Sequence, residues 1–126
     1  MESIRIPILQ IEDYLVASIQ MPLHDTQAER FKDDLLDRIY RTKARGLVLD
    51  LTAIDIVDSF MARIVGDVAE MASLMGAQVV VTGLQPAVAI TLVELGLELP
   101  HVTTALNLER GILALRKLKN TERSHG

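Results

Sequence analysis

The stretch LVLDLTAIDIVDSFMARIVGDVAEMASLMGAQVVVTG, residues 47–83, decides the fold. LVLDL is a short, continuous apolar run of the kind that forms a buried strand, and QVVVTG repeats that signal. Between them, over 60–75, Met61, Ile64, Val65, Val68, Ala72 and Met75 recur at helical spacing, and Gly76 closes the segment. A strand, a helix and a second strand in so few residues require a crossover connection, and that makes the two strands parallel neighbours.

The same alternation continues outward. PAVAITLVELG opens with Pro86 at a first helical position and ends at Gly96. VTTAL is a weaker strand, and Asn107 is placed to cap LERGILALRKL, where Leu108, Ile112, Leu115 and Leu118 line one side. Upstream, TQAE offers a capping box from Thr26 to Glu29. It leads a helix in which Ala28, Phe31, Leu35 and Ile39, with Leu36 and Tyr40, form the apolar face and which ends near Gly46. IRIPIL and YLVASIQ read as a hairpin turning at Glu12-Asp13. The expected order is ββαβαβαβα: one α/β domain over 1–119, a mixed, mostly parallel five-stranded sheet with about four helices, and a loose polar tail at 120–126.

Composition narrows the function. Of 126 residues, 49 % are hydrophobic but only 3 % aromatic, and the net charge is −4. Few stacking rings and an acidic balance argue against nucleic acid as a partner. With no cysteine, disulfides, thiol catalysis and cysteine-ligated zinc drop out together. The N-terminus is broken by charges and Pro7, unlike a signal peptide, and no run reaches the length of a membrane span, so a cytoplasmic protein without membrane attachment is expected.

The candidate chemical constellations are weak. Asp50 after the third strand, with Thr82 after the next, invites comparison with a phospho-accepting receiver domain. The acidic pair Glu12-Asp13 stands in a turn, however, and no lysine follows the last strand. His24, His101 and His125 are scattered, and Asp50, Asp55 and Asp58 lack the dense alternation and central glycine of a calcium loop, so no metal is expected. Ser59 has neither a nearby histidine nor a nucleophile elbow, and no glycine-rich phosphate loop is present. An enzyme is not expected, nor is a cofactor.

Ser59 is the residue that invites a role. It stands where a polar loop turns into an apolar helix, and either Ser59 or Asp58 is suited to cap that helix. A hydroxyl at a helix start also tolerates an added anion, because free N–H groups and the macrodipole favour negative charge there. Phosphorylation would bring about −1.5 to −2 of charge next to Asp55 and Asp58, switching a binding surface while the fold persists.

The order of elements and the segment from LVLDL through TLVELGL resemble a STAS domain, the fold of anti-sigma-factor antagonists. More narrowly, IPIL, SIQ, DLLDRIY, DSF, GDV, LMGA and TGLQPAVAITLVELG resemble the RsbS-type single-domain scaffolds of the bacterial stressosome. The resemblance implies a non-enzymatic protein that self-associates with an RsbR-type co-scaffold into a large complex and sequesters an RsbT-type serine kinase. The kinase leaves after phosphorylating the serine that matches Ser59, which controls the general stress response, and an RsbX-type phosphatase resets the site. Asp58 matches the aspartate before the acceptor. Antagonists outside this group usually carry a second hydroxyl residue and glycines after the acceptor. Phe60-Met61-Ala62 here implies a packed face and favours a scaffold over the alternative, a monomeric anti-anti-sigma factor switched at Ser59. A small-ligand sensor is a third reading, without a phosphate loop to support it. Asp55, Asp58, Phe60 and Pro86 are the expected docking residues, while Thr82 and Thr91 are hydroxyls better suited to strand-end and helix-packing roles.

Overall fold

The computed structural model describes residues 6–96 and 102–125, with side chains as far as Lys119. Its elements run β1 (Ile8–Ile11), β2 (Tyr14–Ser18), α1 (Asp25–Thr42), β3 (Gly46–Asp50), α2 (Ser59–Leu74), β4 (Gln78–Thr82), α3 (Pro86–Glu94), β5 (Val102–Ala105) and α4 (Leu108–His125). The order is the one the sequence predicts. Spatially the strands follow their chain order, β1 antiparallel to β2 and the rest parallel. Of the IRIPIL segment, residues 4 and 5 lie outside the described residues and the strand begins only at Ile8, past Pro7, which has no N–H to give a ladder.

Alternation along the strands sorts two cores. Leu15, Ala17, Leu47, Leu49, Val79 and Val81 face one side, where they meet the buried residues of α1, α2 and α3. Tyr14, Val16, Val48 and Val80 face the other, where Ile112 and Leu115 of α4 cover them. Three successive crossovers of one hand between neighbouring strands put their helices on one face, which leaves the second face to α4.

The helix faces follow the spacing read above, with local corrections. Ala28, Phe31, Leu35 and Ile39 are buried, but Tyr40 is exposed and lies beneath the Lys43 ammonium, 4.7 Å from the ring centroid. The start of α1 is capped at His24, whose backbone N–H donates to Gln27 Oε1 at 3.2 Å. Thr26 and Glu29 are not the capping pair, since Glu29 instead pairs with Lys32 at 2.9 Å. The helix also stops earlier than Gly46. It ends at Thr42, with Lys43 in the left-handed conformation. Gly46 opens β3 because α4 lies directly on it: a Cβ there would come within 2.7 Å of Leu115. Met75 caps the end of α2 and is exposed rather than part of its apolar face. Asn107 does cap α4, accepting from the Arg110 N–H at 3.0 Å. The backbone of α4 continues through residues 120–125, the segment read as a loose tail.

Candidate functional site

The carboxyl ends of β2, β3 and β4 are tied by hydroxyl groups gathered on one carboxylate. Register places Ser18, Asp50 and Thr82 side by side. Asp50 Oδ1 accepts from Thr82 Oγ1 at 2.8 Å and Thr52 Oγ1 at 2.7 Å, and Oδ2 accepts from Ser18 Oγ at 3.3 Å. Thr82 is fully buried, so its hydroxyl depends on that bond. The pairing of Asp50 with Thr82 noted in the sequence is therefore real as a contact, and the contact is a structural staple. Glu12 and Asp13, at the opposite end of β2, pair with Arg116 and Lys119 of α4.

The staple extends into the next loop. The Gln85 side-chain amide donates to the Thr52 carbonyl at 2.9 Å. Gly83, at φ 73°, presses against Thr52, whose Oγ1 would lie 2.0 Å from a Cβ at that position. Only a glycine accommodates both the conformation and the approach. The β3–α2 and β4–α3 loops are thus tied to each other at this edge.

Beyond Thr52 the chain runs outward on apolar anchors. Leu51, Ile54 and Val57 are buried, which turns Asp55, Ile56 and Asp58 to the surface. Asp58 is the N-cap of α2, its Oδ1 accepting from the Met61 N–H at 2.8 Å. Ser59 is the first helical residue, exposed, and its hydroxyl has no hydrogen bond among the described residues. Of the two capping candidates, the structure chooses the aspartate and leaves the serine hydroxyl unengaged. Met61 and Ala62 are buried and Phe60 is half-buried, all against the core of the domain itself.

From Ser59 an open groove of about 320 Å³ runs along α2. Ser59, Ala62 and Gly66 line it together with Arg63, Asp67 and Glu70. Of the expected docking residues, Asp55 and Asp58 are exposed on the segment leading into Ser59 but do not line the groove, Phe60 is half-buried, and Pro86 is exposed as the first residue of α3. Asp50 belongs to the staple, and the three aspartates do not gather into one cluster. Thr91 donates to the Ala87 carbonyl within its own helix at 2.9 Å. His24 is an exposed helix cap, and His101 and the His125 side chain lie outside the described residues.

Sequence reasoning passed over two features here. Ile56, three residues before Ser59, is 70 % exposed. Arg63 lies one turn beyond Ser59, a spacing visible in the sequence once the helix start is fixed. Two cations have raised pKa values: Lys32, through its bond to Glu29 with help from the charge of Asp67, and Arg116, through its bond to Glu12. Among the described residues no helix is long and apolar enough to cross a membrane.

The STAS domain model matches residues 5–110. The RsbT co-antagonist protein RsbRA of Bacillus subtilis is 26 % identical over 113 residues, covering 89 % of this chain but only 41 % of its own length. Among solved structures, a serine-to-glutamate variant of RsbS from Moorella thermoacetica superposes with a TM-score of 0.84 at 41 % identity, covering 92 % of this chain and 98 % of that one. A chain from the molecular architecture of the stressosome, described as a signal integration and transduction hub, gives 0.81 at 44 % identity, covering 90 % and 98 %.

Proposed function

The chain belongs to the STAS domain family, and from that premise we propose that it is a non-enzymatic, cytoplasmic scaffold of the RsbS type. In this reading it assembles with RsbR-type STAS proteins into a stressosome-like particle and holds an RsbT-type serine kinase until Ser59 is phosphorylated. An RsbX-type phosphatase removes the phosphate. The observation that carries the reading is the state of Ser59: exposed, unbonded, and seated on a helix whose first turn is already secured by Asp58.

Adding a phosphoryl group there breaks no bond that the fold uses. It places about two negative charges beside Asp55 and Asp58, which turns an acidic edge into one repellent to an acidic partner surface. A coupling of about 2–3 kcal/mol between phosphate and partner is enough to change affinity by more than tenfold. The likeness to a serine-to-glutamate RsbS variant fits this reading, since that substitution also puts negative charge in place of a hydroxyl.

Assembly is favoured over a monomeric antagonist by α3. Its Ile90 and Val93 are 57 % and 78 % exposed on a helix with one charged residue, Glu94. Such a surface is poorly suited to water and suited to a protein neighbour.

The test is intact-mass and peptide-mapping analysis after incubation with ATP and an RsbT-type kinase, with Ser59→Ala in parallel. Particles are followed by size-exclusion chromatography. One phosphoryl group on Ser59, none on the variant, and loss of kinase from the particle are expected. An unmodified Ser59 in the presence of a kinase active on its RsbR-type substrate would reduce the protein to a passive scaffold.

A further inference from the structure

We infer that Arg63 is the phosphate-holding residue of this switch: once Ser59 is phosphorylated, the Arg63 guanidinium folds back along α2 onto the phosphoryl oxygens. The inference rests on the reading of Ser59 as a phosphorylation site, and three observations carry it further. First, Ser59 and Arg63 are four residues apart on one helix and line the same open groove. Side chains in a helix lean toward its N-terminus, so a long side chain at 63 naturally overlies 59, and an anion four residues ahead of a cation is the favourable order. Second, Arg63 has no ion pair or hydrogen bond among the described residues, although acidic neighbours surround it. Asp58 is committed to the Met61 N–H, and neither Asp67 nor Glu70, which line the same groove, is within ion-pair distance of the guanidinium. Third, Arg63 is the one basic residue between Gly46 and Gly96, against Asp50, Asp55, Asp58, Asp67, Glu70 and Glu94.

The arrangement makes the switch larger than the added charge alone. In the unmodified protein Arg63 is a free positive point on an acidic edge, open to a carboxylate of the held partner. In the phosphorylated protein it is neutralised within its own helix by a bidentate charge-assisted contact. Modification therefore adds negative charge and withdraws the cation in the same event.

The test uses full-length protein with phosphoserine installed at position 59 during translation, so that no kinase is needed. The second ionisation of the phosphoryl group, near pH 6 when free, is followed by phosphorus NMR titration in the otherwise wild-type chain, in Arg63→Gln and in Arg63→Lys. The wild-type midpoint is expected about 0.3 unit below that of Arg63→Gln, with Arg63→Lys between them because lysine keeps the charge without the fork. A melting curve of unphosphorylated Arg63→Gln matching wild type establishes that the fold is intact. Coincident midpoints for wild type and Arg63→Gln would overturn the contact. If the contact is present but no kinase modifies Ser59, the switch reading falls and the contact stands. If Ser59 is modified and the midpoints coincide, the reverse holds.

Discussion

Two clusters at the carboxyl edge of the sheet are built from the same materials, an aspartate with neighbouring hydroxyls, and do opposite things. Around Asp50 the hydroxyls of Ser18, Thr52 and Thr82 all converge on one carboxylate, and Thr82 is sealed from water. Around Asp58 the carboxylate serves a backbone N–H, and the adjacent Ser59 hydroxyl is exposed with no bond among the described residues. Residue type does not separate a structural hydroxyl from one available for chemistry. What separates them is whether strand register or a helix start determines where the hydroxyl points.

The inner cluster is the one to break hardest. Gly83→Ala should cost about 3 kcal/mol, since it combines a left-handed backbone with a Cβ driven into Thr52; chemical denaturation measures it, and a loss under about 1 kcal/mol would mean that the two loops are not locked together. Asp50→Ala should cost about 2 kcal/mol by leaving the buried Thr82 hydroxyl without its acceptor. A restored stability in the double variant Asp50→Ala, Thr82→Val would sharpen that assignment. Asp58→Ala should cost about 1 kcal/mol, the usual value of an N-cap. At the far end of the scale, Ser59→Ala should move stability by less than about 0.5 kcal/mol while abolishing phosphorylation. If Ser59→Ala proved as damaging as Asp58→Ala, the distinction between the two clusters would collapse.

The helices and the order of elements were legible because each rests on spacing within one segment: Ala28, Phe31, Leu35 and Ile39 are buried where the period places them. Errors fall where two local signals compete. Thr26 with Glu29 and His24 with Gln27 both fit a helix start, and the chain leaves buried Leu23 directly into the second. The staple at Asp50 was not read from the sequence, where Asp50 and Thr82 were weighed only as a receiver-type pair: Ser18 and Thr82 are 32 residues away on either side and meet Asp50 through strand register. Ser59 was recognised as a candidate from its setting, but Arg63 was not, because its relevance depends on the helix starting at 59 and on its lacking a partner. Whether a charge is already engaged is a property of three-dimensional neighbours.

The capping of α2 by Asp58 also has a kinetic side. A group that held the first turn together could be modified only as often as that turn frayed, and each cycle would wait on the chain closing again. With the capping bond assigned to the preceding residue, the Ser59 hydroxyl is exposed with the first turn of the helix intact. Under the proposed switch, the pace of modification and reset would then follow encounters with kinase and phosphatase and would not wait on fraying of this helix.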